Sequence, residues 1–163
     1  MNFLSIDPSV NNIGFAILQI KNGKPSVLKD GTLYPDKELS IQQKAEWVFA
    51  SLQKIDAQFD ESIIQCVFEY PTFMGGIKGL IASQKGYTID LGVMVGYLSG
   101  LLLGGFPNDV FYYTPMQWKG TRPKTATQAE IKRKFPSFRP HSEHSIDAIG
   151  MALHHFKVMK YCK

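Results

Sequence analysis

Phe3-Leu4-Ser5-Ile6-Asp7-Pro8 and Ile63-Ile64-Gln65-Cys66-Val67-Phe68-Glu69-Tyr70-Pro71 end alike: an apolar run, one carboxylate, then proline within two residues. The second run, Ile63 to Phe68, is apolar almost throughout, the pattern of a strand covered on both faces in the middle of a sheet. If the two runs are parallel neighbours, Asp7 and Glu69 emerge side by side at one sheet edge, where a hard cation with oxygen ligands would sit. Aspartate before proline also starts turns, so Asp7 alone leaves both uses open. Glutamate has no strong turn role, and one that directly follows an apolar strand needs a partner or a cation.

Working outward, Phe3 to Ile6, Ile13 to Ile20 and Val27 to Tyr34 read as a strand meander, with Asn22-Gly23 supplying the turn between the second and third. From Leu39 to Ile55 the residues Ile41, Ala45, Val48, Phe49, Leu52 and Ile55 recur every three or four positions, which predicts a crossover helix. Leu80 to Leu103 reads as a long helix with glycines at 86, 92, 96 and 100. Each glycine inside it costs about 1 kcal/mol against alanine, so a close approach of another backbone is expected there. Val110 to Thr114 is a fifth strand, Lys119 to Lys124 a basic loop, Gln128 to Phe135 a short basic helix, and Ser145 to Tyr161 a closing helix. Strands first, then strands alternating with helices, predict an α/β chain with a five-stranded mixed sheet and helices on both faces.

A third carboxylate stands in Ser145-Ile146-Asp147-Ala148-Ile149-Gly150-Met151, a helix turn otherwise apolar or small. Asp147 there is costly unless paired or bound to metal, although near a helix start it could also complement the dipole. Three carboxylates, two from strands and one from a helix, are what two-metal phosphodiester hydrolysis requires. A fourth ligand has two candidates on the same helical face as Asp147: Glu143, four residues before it, and His144, three before it. Magnesium prefers oxygen, while manganese accepts imidazole readily. The adjacent pair His154-His155 points to different sides of its helix and reads as two ordinary helix residues.

The 163 residues fit one domain spanning 1–163, and the 44% hydrophobic and 20% charged content excludes a disordered or collagen-like chain. Cys66 and Cys162 form neither a disulfide framework nor a metal clip, and Met1-Asn2-Phe3-Leu4-Ser5-Ile6-Asp7 has no leader pattern, so a cytoplasmic protein is expected. Ile89 to Phe106 is the most apolar stretch, but it contains five glycines, Asp90 and Ser99 and lacks basic anchors. That reads as a buried helix and predicts no membrane partner. The net charge is +4, and Lys119 to Lys163 carries ten of the 18 basic residues against three of the 14 acidic ones. Such asymmetry favours a polyanion, since each cation that meets a phosphate releases a counterion.

These motifs together resemble the RuvC family of Holliday-junction resolvases, of the ribonuclease-H-like superfamily, over nearly the whole chain. Leu4-Ser5-Ile6-Asp7-Pro8-Ser9 through Asn12-Ile13-Gly14-Phe15-Ala16 resembles the family's first metal-binding strand and return hairpin. Glu69 stands where the family keeps its second acid. His144-Ser145-Ile146-Asp147-Ala148-Ile149-Gly150-Met151-Ala152 resembles its C-terminal helix motif, with His144 where many members carry aspartate. The resemblance implies a ribonuclease-H-like fold and a magnesium-dependent endodeoxyribonuclease, manganese also serving, that resolves four-way and related branched DNA. Asp7, Glu69, His144 and Asp147 would be its catalytic and metal-binding residues. In the basic segment Pro115-Met116-Gln117-Trp118-Lys119-Gly120-Thr121-Arg122-Pro123-Lys124, Lys119 matches a family lysine and Lys124 is the candidate for a second. DNA contacts are expected from these two, from Arg122, Lys132 and Arg133, and from Phe73, which either wedges into the junction centre or packs on the sheet. The glycine-bearing helix would lie either in a homodimer interface, matching a two-fold junction, or on the sheet of its own chain.

Three other readings share parts of this pattern. A ribonuclease-H-like nuclease for flaps, forks or RNA would carry the same acids, because specificity lives in loops and dimer geometry. An actin-like ATP-binding domain has a similar first hairpin but uses two such domains, and this chain has residues for one. A non-catalytic branched-DNA-binding protein would be expected to lack one of the acids.

Overall fold

The computed structural model describes residues 1–72, 86–105 and 109–159. Five strands, β1 (Asn2–Asp7), β2 (Ile13–Lys21), β3 (Lys24–Leu33), β4 (Ile63–Glu69) and β5 (Asp109–Tyr113), form one sheet in the order β3-β2-β1-β4-β5. β1, β2 and β3 pair antiparallel as the expected meander, and β4 and β5 continue the sheet parallel to β1. Asn22 (φ 52°) and Gly23 (φ 70°) take the left-handed conformation that a two-residue hairpin turn requires. The mixed sheet is the one predicted, and β1 lies at its centre.

Strand alternation gives the sheet two apolar faces. Leu4, Ile6, Phe15, Ile17, Cys66 and Phe68 point to one side, against α1 (Ile41–Asp56) and α2 (Tyr87–Gly105). Phe3, Ala16, Leu18 and Val67 point to the other, against α5 (Glu143–Val158), with Trp118 and Ile131 completing that layer. Trp118 ends a one-turn helix, α3 (Pro115–Trp118), and Ile131 belongs to α4 (Lys124–Lys134). Helices therefore cover both faces, as expected.

Local chemistry accounts for the boundaries that differ from expectation. α3 was not predicted; Thr114 and Gln117 close a capping box around it and Pro115 occupies its first turn. α4 begins at Lys124, four residues before the predicted start, directly after Pro123, whose fixed φ suits the position ahead of a helix. α5 begins at Glu143 because Ser142 caps it, its hydroxyl accepting from the Ser145 amide at 3.0 Å.

α2 corrects two expectations. It is half-buried: Met94, Val95, Leu98 and Leu102 pack inward, while Ile89, Val93, Tyr97 and Leu103 are exposed. Among the described residues no atom would lie within 4 Å of a Cβ added at Gly92, Gly96 or Gly100, so no close approach of these residues explains them. Three glycines cost about 3 kcal/mol in helix propensity. Burying four large side chains at about 1.5–3 kcal/mol each outweighs that, and the helix holds through its inner face. Among the described residues, α2 alone is long and apolar enough to cross a membrane. The predicted start of this helix at residues 80–85 lies outside the described residues.

Candidate metal centre

β1 and β4 run parallel with Ile6 opposite Phe68, so Asp7 and Glu69 are the next residues on adjacent strands. Both continue the row that faces α5, following Phe3 on one strand and Val67 on the other. The conditional drawn from the two matching strand ends is met, and α5 carries Asp147 over the same sheet end.

Gly14 lets α5 come down there. It pairs with Asp7 across β1 and β2, and a Cβ at position 14 would collide with the backbone carbonyl and Cβ of His144. With only hydrogen there, the helix start settles onto the sheet, and His144 Nδ1 lies 3.2 Å from Asp7 Oδ2. Two further contacts anchor the approach to α5. Buried Asp30 accepts from the His141 amide at 2.9 Å and pairs with its ring at 2.6 Å, and the Thr32 and Ser142 hydroxyls meet at 2.6 Å.

Glu69 is held from the opposite side. The Trp118 indole Nε1 donates to Glu69 Oε2 at 2.7 Å, and Lys119 Nζ lies 3.8 Å from that oxygen and 4.7 Å above the indole ring. A second glycine makes room for this indole: a Cβ at Gly150 on α5 would stand 2.9 Å from Trp118 Cζ3 and 2.6 Å from Thr127 Cγ2. Lys124, at the start of α4, completes the cluster 3.4 Å from Asp147 Oδ2 and 3.6 Å from Glu143 Oε2.

The cluster is short of positive charge. Burial, then the Asp7 charge, pushes the Glu69 carboxyl above its ordinary pKa, while Lys119 and the Trp118 hydrogen bond pull the other way. Burial also raises Asp147, with Asp7 adding to the effect and the two lysines opposing it. The hydrogen bond to Asp7 holds the His144 pKa above its usual value. Among the described residues, no three histidine, cysteine, aspartate or glutamate side chains close on one point at metal-ligand spacing. The donor set nonetheless fits a hard divalent ion. It offers carboxylate oxygens from three elements, two of them raised by burial and mutual repulsion, with one imidazole beside them.

The structure brings Asp7, Glu69, His144, Asp147, Lys119 and Lys124 together. Glu143 points outward, its side chain 81% exposed on Lys124, and so stands apart from the acids. Arg122 clamps its own turn: it donates to the carbonyls of Lys119 and Trp118 at 3.1 and 3.0 Å and pairs with Glu130 at 3.2 Å. Lys132 and Arg133 are exposed on α4. Phe73 lies outside the described residues. His155 is a core residue, buried between Phe3 and Phe111, with ring nitrogens 2.9 Å from the Tyr113 hydroxyl and 3.2 Å from Gln65 Oε1. Sequence reading missed Trp118, Gly14, Gly150 and the Asp30–His141 pair. The Thr114/Gln117 capping box was the available signal for Trp118, since it fixes the turn that aims the indole.

No family model matches the sequence. The curated crossover junction endodeoxyribonuclease RuvC of Finegoldia magna is 24% identical over 99% of this chain and 96% of its own length. That of Borrelia turicatae is 25% identical over 95% of each. The solved structure of T. thermophilus RuvC in complex with Holliday junction substrate superposes with a TM-score of 0.71 at 17% identity, covering 98% of this chain and 96% of that one. Along its whole length the chain is similar in sequence to these RuvC proteins, and the architecture of its sheet is their ribonuclease-H-like fold.

Proposed function

We propose that the chain is a metal-dependent endodeoxyribonuclease that cuts branched DNA, with four-way Holliday junctions as its principal substrate. The observation that carries this reading is the placement of Asp7 and Glu69 on parallel neighbouring strands with Asp147 facing them from α5. Asp7, Glu69 and Asp147, with His144, would hold the ion. Magnesium, or manganese in its place, supplies activation of water and stabilisation of the leaving oxygen when bound. Trp118 and Lys119 orient Glu69, and Lys119 and Lys124 set positive charge beside the acids, where a phosphate would approach.

A two-fold homodimer suits a substrate that must be cut on opposing strands. The outer face of α2 supports it: Ile89, Val93 and Tyr97 are exposed, and among the described residues nothing fills the space at Gly92, Gly96 and Gly100 that a second backbone would take.

The test is incubation with synthetic four-way junctions, with and without magnesium, scored for symmetrical nicks on opposing strands. Asp7→Asn, Glu69→Gln and Asp147→Asn should each abolish nicking while junction binding persists, because affinity comes mainly from phosphate contacts elsewhere. Magnesium should raise the melting temperature of the wild type and not of the variants. Near-normal nicking by any of the three would move the site.

A further inference from the structure

α3 is a single turn, well short of the length at which a helix holds itself in water, so its direction must be set by contacts from outside. The carbonyls of Trp118 and Lys119 fall at its end, where a helix leaves such groups without internal partners. Gly120, in the left-handed conformation (φ 59°), turns the chain, and Arg122 comes back over that end. Its Nε donates to the Lys119 carbonyl at 3.1 Å, and one terminal nitrogen donates to the Trp118 carbonyl at 3.0 Å. The other terminal nitrogen donates to Glu130 Oε2 at 3.2 Å. A planar guanidinium can serve three acceptors in this fixed fork, and an ammonium cannot.

Glu130, on α4, joins this turn to the rest of the fold. Its second oxygen accepts from Lys157 Nζ, in the last turn of α5, at 2.5 Å. The Lys157 hydrogen bond, reinforced by Arg122, holds the Glu130 carboxyl below the ordinary carboxylate range. Contacts therefore run from α5 through α4 to the end of α3. There, the two residues whose carbonyls Arg122 holds are the two whose side chains address one oxygen of Glu69: Trp118 Nε1 at 2.7 Å and Lys119 Nζ at 3.8 Å. A shift of this turn would move both donors at once. Arg122 and Lys157 are about half exposed, and ion pairs so placed add little to stability, so what the network supplies is direction.

We propose that Arg122 and Glu130 are positioning residues for the acid Glu69. Glu130, braced by Lys157, fixes the guanidinium; the guanidinium fixes the two carbonyls and so aims the Trp118 indole and the Lys119 ammonium at a single carboxylate oxygen. The consequence for cutting rests on the nuclease reading above, and the aim of the indole does not.

The indole N–H resonance of Trp118 in the metal-free protein reads that aim. The chain has two tryptophans, and loss of one peak in Trp118→Phe assigns it. Arg122→Lys keeps the charge and loses the fork, while Glu130→Gln keeps the shape and loses the charge. Each should move the Trp118 resonance toward that of a free indole and leave Trp47 in place, with a melting temperature close to the wild type verifying the fold. On saturating four-way junction in magnesium each should cut at least about tenfold more slowly, as small misplacements of a reacting group do. Junction affinity and its salt slope should be unchanged in Arg122→Lys. As a surface change alone, Glu130→Gln removes a negative charge and would favour DNA binding, so slower cutting by this variant has the opposite sign. If Arg122 instead meets a phosphate, Arg122→Lys would cut normally and Arg122→Gln would lower the salt slope by about one, which overturns the proposal. A Trp118 resonance unmoved in both variants, or moved with cutting unchanged, would overturn it too. A wild type that neither binds nor cuts junctions would overturn the nuclease reading itself, and the resonance would still decide whether Arg122 and Glu130 aim the indole.

Discussion

The indole Nε1 of Trp118 donates to Oε2 of Glu69 at 2.7 Å, so a buried aromatic on α3 aims an acid on β4. A hydrogen bond to a charged group contributes about 1.5–3 kcal/mol. Trp118→Phe keeps the ring in its slot beneath Gly150 and removes only the donor. Nicking of four-way junctions should fall at least about tenfold, further than the accompanying loss of stability in urea unfolding explains. Losing a donor to the charged form also lets the raised Glu69 pKa climb further, so the acid limb of the rate profile should move to higher pH. An unchanged rate and pH profile would reduce Trp118 to packing.

Gly14→Ala tests how α5 is seated. The new Cβ would run into the His144 carbonyl, which belongs to rigid backbone. Overpacking of this kind costs about 1–3 kcal/mol, and the helix start must lift, taking His144 from Asp7. Urea unfolding should show that loss, and nicking should fall further than the stability change explains. A variant as stable and active as the wild type would show that α5 tolerates a different seat.

The same substitution should do the reverse on α2. Among the described residues a Cβ at Gly92 or Gly96 meets nothing within 4 Å, so alanine at both should stabilise the monomer by about 1 kcal/mol per site. If the outer face of α2 joins two copies, the double variant should weaken the dimer in sedimentation equilibrium. A dimer of unchanged affinity would place the interface elsewhere.

Much of this architecture was legible beforehand. Strand ends that repeat an apolar run, a carboxylate and a proline revealed Asp7 and Glu69, because period and burial are properties of local sequence. Helix starts were less legible at α4 and α5, where Pro123 and the Ser142 cap, each outside the apolar pattern, set the boundary. Trp118, Gly14 and Gly150 were not legible as site residues. Their roles depend on which elements meet in space, and a tryptophan or glycine has the same local signature whether it packs or positions. For Arg122 the charge alone pointed to DNA, and the intramolecular contacts to Glu130 and two carbonyls were not legible in it.

His155 predicts an acid-sensitive fold. Burial lowers its pKa to about 4, against about 6.5 when unfolded. Between those values the unfolded chain binds more protons, so stability is complete above about pH 6.5 and is lost as pH falls toward 4. The gap amounts to about 3 kcal/mol. Glu69 and Asp147, raised by burial, work in the opposite sense, so the difference between proteins is the measurement that isolates the histidine. In urea unfolding across this window, His155→Gln should show a flatter pH dependence than the wild type. Parallel curves would show that His155 is not the group that titrates.

The fourth position of the acidic cluster can be decided between Glu143 and His144. On chemistry alone magnesium favours the carboxylate, and helical spacing permits either. Geometry separates them: His144 Nδ1 lies 3.2 Å from Asp7 Oδ2, while the Glu143 side chain is 81% exposed against Lys124. His144→Ala should therefore be nearly inactive on four-way junctions and Glu143→Gln nearly normal. His144→Asp, which restores an oxygen donor, should keep substantial magnesium-dependent nicking. A histidine must be neutral to bind metal or take a proton, and the Asp7 hydrogen bond holds its pKa above the ordinary 6.5. The wild-type rate should accordingly begin to fall with acid at a pH above that value, and His144→Asp should lose this limb. An inactive Glu143→Gln beside an active His144→Ala would transfer the role to Glu143, leaving His144 to hold the first turn of α5 against Asp7.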